Sequence, residues 1–179
     1  MTARKTPTSV DKSSSRKREA GADAVALLKQ DHQEVQALFE QYDELVEADD
    51  TPDEQKQQLA EQICAMLTVH AQIEEEIFYP AARRSLEEAD LIDEATVEHA
   101  TAKDLIAQIQ DGSPDEELYD AKVKVLGEYI RHHVKEEESE MFPKAKKSDM
   151  DLSALGAQLA ERKQELMEEV GLVEAPDVA

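Results

Sequence analysis

The chain is poor in most of the residues that could hold it together by anything but a helical core. It has one cysteine, Cys64, among 179 residues. An intrachain disulfide is therefore excluded, and a reducing, cytoplasmic setting is expected. The lack of further thiolates also argues against a structural zinc site. Tryptophan is absent, aromatics make up 4%, and there are only five glycines and six prolines. What remains is rich in Leu, Ala, Glu, Gln and Lys, the composition of a helical protein. No apolar run approaches the ~18 residues of a membrane span. The basic N-terminus has no apolar stretch behind it, so a secretory signal is not expected. Basic residues are outnumbered 42 to 20, giving a net charge of −22. That balance argues against nucleic acid or anionic lipid as a partner of the folded part. It suits cations, although most carboxylates on such a chain are ordinary solvated surface.

The length suffices for one domain with a real core. Residues 1–21 carry Arg4, Lys5, Lys12, Arg16, Lys17 and Arg18 and little that could be buried. They are expected to form a disordered basic tail, solubilising an acidic body or touching an acidic partner. Residues 22–147 read as four helices, and residues 148–172 as a fifth that packs on or beside them. In the first helix Val25, Leu28, His32, Val35, Phe39, Tyr42 and Val46 alternate spacings of three and four, an inward stripe broken only by His32. Thr51-Pro52-Asp53-Glu54 looks like an N-cap with proline at the first helical position and a closing glutamate. The second helix then runs Leu59, Ile63, Leu67, His70, Glu74, Ile77 and Ala81 inward, with Pro80 expected to kink or end it. Ser85-Leu-Glu-Glu88 predicts a third helix to about Gln110, with His99 interrupting Ile92, Ala95, Ala102, Ile106 and Ile109. Ser113-Pro114-Asp115-Glu116 repeats the Thr51 pattern and predicts a fourth, with Leu126, Ile130, His133, Glu137 and Met141 inward. Leu152, Leu155, Leu159, Leu166 and Met167 line the fifth, which Gly171 stops.

The second and fourth helices share a motif. His70-x-x-x-Glu74-Glu75 with Tyr79-Pro80 returns as His133-x-x-x-Glu137-Glu138 with Phe142-Pro143, offset by 63 residues throughout. On a helix, residues four apart share a face, so each His projects with its Glu. Short connections favour an all-α, up-down-up-down antiparallel four-helix bundle. At ~1.5 Å per residue the histidines of the first three helices fall at one level. The fourth fits only if its helix overhangs the third or its start is misplaced by a turn or two. Six polar groups, His32, His70, Glu74, His99, His133 and Glu137, then meet in an apolar core. Buried alone, each carboxylate would protonate or destabilise the fold, and a pair of divalent cations removes that difficulty. Imidazole with carboxylate suits iron, with Mn or Zn as lesser alternatives. If both glutamates bridge, each metal sees two imidazoles and two carboxylate oxygens, leaving positions for an oxo or hydroxo bridge and a small ligand. Glu75 and Glu138 read as solvated surface, with support of the ligand imidazoles as the alternative. His132 points about 100° away from His133 and reads as surface or as a supporting group. Cys64 and Tyr42 read as core.

At these residues the chain resembles the hemerythrin-like, or HHE cation-binding, family. Asp31-His32 with Leu38-Phe39, His70-x-x-x-Glu74-Glu75 with Tyr79-Pro80, Glu98-His99, and His133-x-x-x-Glu137-Glu138 with Phe142-Pro143 are similar to its signature, in order, over about residues 22–146. The resemblance implies a bundle holding a non-haem di-iron centre with His32, His70, Glu74, His99, His133 and Glu137 as ligands, Glu74 and Glu137 bridging. Ala95 stands where the oxygen carriers of the family have a further histidine, and the last motif is His-x-x-x-Glu rather than their His-x-x-x-x-Asp. The resemblance therefore implies a more open centre than a carrier's. Binding of O2, NO or peroxide, for sensing, stress response or catalase-like detoxification, is the expected function. Iron storage or buffering, and a structural interaction module with a basic tail, are the alternatives. The expected state is monomer or dimer.

Overall fold

The fold, a computed structural model, describes residues 23–48 and 51–172. The basic segment 1–21, with the tail expected there, lies outside the described residues. The elements are α1 (Ala24–Glu47), α2 (Asp53–Ile73), a π-helical turn π1 (Glu74–Phe78), α3 (Tyr79–Ser85), α4 (Ala89–Gln110), α5 (Tyr119–Glu136), a second π-helical turn π2 (Glu137–Met141), α6 (Phe142–Ala145) and α7 (Leu152–Glu169). The described residues are all-α, as expected.

Four rods form the bundle: α1, α2 with its continuation through π1 and α3, α4, and α5 with its continuation through π2 and α6. Each rod packs against two others, α1 on α2 and α5, and α4 on α2 and α5. The buried side chains fall into two apolar storeys. One holds Val25 and Leu28 from the start of α1, Val69 and Ile73 from the end of α2, Ile92 and Ala95 from the start of α4, and Met141 and Phe142. The other holds Phe39 and Tyr42 from the end of α1, Ala60 and Ile63 from the start of α2, Ile106 and Ile109 from the end of α4, and Tyr119 and Val123 from the start of α5. Starts meet ends throughout, so successive rods run antiparallel. The predicted stripes face the core, with Leu59, Ile77, Leu152, Leu155 and Met167 half-buried, and Val46 is exposed near the end of α1.

The rods approach closely at Gly127 of α5. A Cβ there would stand 3.0 Å from Cδ1 of Phe39, so the missing side chain is what lets the ring lie on the α5 backbone. The fifth helix, α7, packs on α1 and α2 and buries Leu159 and Leu166, each contributing about 2 kcal/mol on transfer. Asp151 caps it by accepting from the Ala154 N–H at 3.0 Å. Gly171, at φ +73°, ends it, and Leu172 N–H closes back on Met167 O at 2.9 Å.

The three internal caps expected from sequence do not form. Pro52 itself occupies the N-cap of α2, with extended backbone and no side-chain bond, so Thr51 is left outside. Asp53 and Glu54 still help by placing negative charge in the first turn. Ser85 is the last residue of α3 rather than a cap, and α4 starts only at Ala89. Ser113–Leu118 forms tight turns, with Glu116 N–H on Ser113 O and Tyr119 N–H on Glu116 O, and α5 starts at Tyr119. That later start shortens the fourth rod by about one and a half turns. It removes the overhang that a start at Pro114 would require and brings His133 level with His99.

Pro80 does not end its helix. The chain stays helical to Ser85, and the strain is taken up one turn earlier. Tyr79 N–H bonds Glu74 O, five residues back, and Phe142 N–H bonds Glu137 O in the same way. In a regular α-helix each proline ring would strike the carbonyl four residues before it. The wider turn relieves that clash, and it sits at the same place in both copies of the repeat.

Candidate metal centre

Between the two apolar storeys lies a polar layer. His32, His70, Glu74, His99, His133 and Glu137 are all buried there, and Glu74 has no exposed surface at all. All six residues predicted from sequence are thus brought together. His70 Nε2 lies 3.2 Å from Glu74 Oε2, and His133 Nε2 lies 3.5 Å from Glu137 Oε2, the two i,i+4 pairs of the repeat. Across the bundle, His32 Nε2 is 3.2 Å from Glu137 Oε2 and His99 Nε2 is 3.5 Å from Glu74 Oε2. Each glutamate therefore reaches one imidazole on its own rod and one on a neighbour. Donor atoms gather in two overlapping groups, one of His32, His70, Glu74 and Glu137, the other of Glu74, His99 and His133.

Four of these buried donor atoms have no hydrogen-bond partner among the described residues: His32 Nε2, His70 Nε2, Glu74 Oε1 and Glu137 Oε2. Leaving a buried polar atom unpaired costs about 1–3 kcal/mol. These orphans belong to the four residues of the first group. A cation bound among them would satisfy them together, so the donor set fits a metal.

Every imidazole turns Nε2 inward and gives Nδ1 to a carboxylate. His70 Nδ1 meets Asp31 Oδ2 at 3.4 Å, His133 Nδ1 meets Glu98 at 2.7 Å, His99 Nδ1 meets Glu75 at 3.0 Å, and His32 Nδ1 meets Glu138 at 3.0 Å. Each of these carboxylates sits beside a candidate ligand in the chain and supports the imidazole of a different rod. Asp31 of α1 holds His70 on the second rod, and Glu75 of that rod holds His99 of α4. Glu98 of α4 holds His133 of α5, and Glu138, past the end of α5, holds His32 of α1. The supports run once around the bundle. With Nδ1–H donated outward, the Nε2 lone pair faces the centre, which orients the ring and raises its basicity as a ligand. Glu75 and Glu138, expected as solvated surface, are thereby corrected to supporting groups. Three of the supports are themselves braced by lysine: Asp31 by Lys163 at 2.5 Å, Glu75 by Lys103 at 2.7 Å, and Glu138 by Lys29 at 2.7 Å. His132 is exposed, as expected, with its ring 3.2 Å from Glu136.

The layer is electrostatically coupled. Burial pushes His133 down, but Glu137, Glu98 and Glu74 outweigh it and lift the imidazole to about 9. His32 is raised for the same reason, burial being overcome by Glu137, Glu74 and Glu138. Burial raises Glu137, yet the surrounding imidazoles hold it below the usual carboxylate range.

Sequence reasoning missed Tyr79 as a member of the centre. Its hydroxyl donates to Glu137 Oε1 at 2.9 Å and lies 3.1 Å from His99 Nε2 and 3.5 Å from Glu74 Oε2. Burial, then the charges of Glu137 and Glu74, pushes the phenol well above its ordinary range. Its repeat partner Phe142 instead stacks on His32, 5.7 Å between centroids and 10° between planes. The signal was present, because Tyr and Phe differ at matched positions, but the repeat alone does not show that the hydroxyl faces the centre. Asp31 and Glu98 were legible only as neighbours of His32 and His99. Tyr42 is core, donating to Asp120 at 2.8 Å in the other storey. Cys64 is buried, and burial pushes its thiol up to about 12, so it behaves as a small hydrophobe.

Against the centre, on the side of the second storey, lies a cavity of about 20 Å³. It is lined by all four histidines together with Val35, Leu67, Ala71, Ala102, Ile106, Ile130, Val134 and Lys103. That is room for a molecule the size of water.

Comparison with known proteins agrees with this geometry. The family profile of the hemerythrin HHE cation-binding domain matches residues 23–145. A curated relative, a DNA nickase of Nostoc sp., is 34% identical over 117 residues, which is 65% of this chain and 31% of the relative. The chain thus spans less than a third of that protein's length. Among solved structures, a hemerythrin HHE cation-binding domain-containing protein from Mycobacterium kansasii superposes with a TM-score of 0.68 at 24% identity. The likeness covers 83% of this chain and 89% of that one and shows the shared fold. A profile match across most of the chain, over a bundle whose polar layer is built for a cation, places this protein in the hemerythrin HHE cation-binding family.

Proposed function

We propose that the polar layer holds two metal ions, iron in the first instance, and that the centre binds a small oxygen- or nitrogen-containing ligand: O2, NO or peroxide. The observation that carries this reading is the set of four orphaned donor atoms converging from three rods, with every other buried side-chain N or O atom of the described residues hydrogen-bonded. Glu74 and Glu137 each lie between imidazoles of two rods. His32 and His70 with these glutamates would hold one ion, and His99 and His133 with Glu74 the other. Tyr79 Oη, beside His99 and Glu137, is an oxygen donor on the side where Ala95 supplies no imidazole. Bound iron would supply redox change and an open coordination position for the ligand.

The rest is contributed by the chain. The carboxylate–lysine supports fix the rings. The cavity beside the four histidines, mostly apolar in its walls, has room for a molecule of about water's size. Tyr79, on the first-storey side of the layer, holds a proton at its hydroxyl against Glu137 and beside His99. Storage of many irons has less support, since the described cavities beside the centre are small. The nicking activity in the Nostoc relative's name belongs to a protein more than three times the matched length. A chain of net charge −22 offers a poor field for DNA.

The test is elemental analysis of anaerobically iron-loaded protein, with optical spectra before and after O2, NO or peroxide. About two irons per chain and a ligand-dependent spectrum, both lost in Glu74→Ala, are expected. No retained metal and no change in thermal stability on loading would refute the reading.

A further inference from the structure

The four supporting carboxylates are not equivalent. Three are braced by lysine, whereas Glu98 is not. In the corresponding place stands His132, with Nε2 3.9 Å from Glu98 Oε1 and 3.2 Å from Glu136 Oε1. These three residues offer donor atoms within 4.8 Å of one another. They stand in an open cup of about 510 Å³ lined also by Asp93, Glu94 and Val97. Arg83 pairs with Asp93 at 2.5 Å, and among the described residues no lysine or arginine lines the cup itself. The cup therefore keeps an uncompensated negative charge, which concentrates cations locally.

The cup leads somewhere. A narrow crevice of about 10 Å³ shares Glu94, Glu98 and Glu136 with it and continues past Ala95 to His133, Glu137 and Met141. The inner end is Glu137, whose Oε2 is one of the buried atoms without a hydrogen-bond partner. Carboxylates thus line the way from solvent to an unsatisfied carboxylate in the centre. Ala95 keeps the crevice from being filled. On the other three sides the supports are closed by lysine ammonium groups, which repel a cation.

We propose that His132, Glu136 and Glu98 form a surface site that takes up a divalent transition-metal ion and passes it through the crevice beside Ala95 to Glu137. The inference rests on the reading of the polar layer as a metal centre. One imidazole and two carboxylates suit such an ion. With His132 exposed and Glu136 and Glu98 half-buried, the site holds it loosely enough to release inward. The ion exchanges surface donors for buried ones without any redox step. His133, lying between Glu98 and Glu137, links the two sites.

The probe is Co2+, added anaerobically to metal-free full-length protein, with stoichiometry read by calorimetry and filling of the centre by visible absorption. The double variant His132→Ala/Glu136→Gln is expected to reach the same final content in the centre but to fill at least tenfold more slowly. Val97→Lys, which places a cation on the rim at a side chain 66% exposed and so leaves the core untouched, should slow filling in the same direction. In a Glu137→Ala background, where the centre is crippled, a weak Co2+ site should persist and vanish when the double change is added. Unchanged filling rates in both surface variants would overturn the inference while leaving the metal centre standing. A centre that never fills, with the weak surface site intact, would overturn the underlying reading and the delivery role with it.

Discussion

The metal-free protein should become less stable as the pH rises from 6.5 to 9, and metal should reverse that trend. An unfolded histidine titrates near 6.5, whereas His133 in the fold is raised to about 9 by Glu137, Glu98 and Glu74 against the lowering effect of burial. A group whose folded value is raised gives its full stabilisation below the unfolded value and loses it as pH passes the folded one. At 1.36 kcal/mol per unit, the shift caps the contribution of His133 at about 3 kcal/mol. His32 is shifted in the same direction and adds to the trend. Glu137 is the other end of these pairs. Its lowered value matters only in acid, so it does not oppose the trend in this window. For a chain of this size, 3 kcal/mol corresponds to a fall of about 10 °C in Tm. A metal ion takes the place of the imidazole protons, so its affinity rises with pH over the same range, and the gap between loaded and metal-free Tm should widen. Thermal unfolding of chelator-treated and metal-loaded samples at pH 6.5, 7.5, 8.5 and 9 measures both. A metal-free Tm that stays level or climbs across that range would refute the charge balance assigned to the layer.

Three further substitutions test the packing around the centre. Tyr79→Phe removes the hydroxyl that donates to Glu137 at 2.9 Å and should destabilise the metal-free protein by about 2 kcal/mol, the range for a hydrogen bond to a charged group. Denaturant midpoints measure this, and equal midpoints count against that bond. Lys163→Met leaves the buried Asp31 carboxylate with His70 as its remaining hydrogen-bonding side chain and should cost about 2 kcal/mol. It should also speed metal release to a chelator, and an unaltered release rate would separate α7 from the centre. Gly127→Ala places a Cβ 3.0 Å from the Phe39 ring. Overpacking of about 1–3 kcal/mol should exceed the ~1 kcal/mol gained in helix propensity, so a higher Tm in that variant would show that the ring can move away.

The supports around the histidines also explain how so acidic a chain keeps a rigid core. Lys29, Lys103 and Lys163 each pair with a carboxylate that holds an imidazole of the layer; the Lys163–Asp31 pair is largely buried, whereas the other two are half exposed, where a pair contributes less. Lys163 comes from α7, which lies beyond the matched family segment of residues 23–145. The fifth helix thus reaches the centre through Asp31 and touches π1 through Arg162, whose Nε donates to Glu76 at 2.8 Å.

The sequence by itself determined the four rods, their inward faces and the six residues of the polar layer. Those features depend on a period of 3.6 and on the rule that residues four apart share a face, both of which are local. His32, His70, His99 and His133 stood out because each broke an apolar stripe, and Glu74 and Glu137 because the 63-residue repeat paired each with a histidine. Local rules failed where two local preferences competed. Thr51, Ser85 and Ser113 all look like caps, but Pro52 took the N-cap of α2, α3 ran on to Ser85, and turns after Ser113 delayed α5 to Tyr119. The π-turns before Pro80 and Pro143 likewise resolved a clash that the sequence signals only as a kink. What the tertiary structure alone decided is which carboxylate supports which imidazole. Asp31, Glu75, Glu98 and Glu138 each act on a histidine of another rod, and no spacing along one chain segment encodes a contact across the bundle. The same holds for Tyr79. Its hydroxyl matters because Glu137 and His99 arrive from two other rods, and until those rods pack, it differs from Phe142 by a single atom.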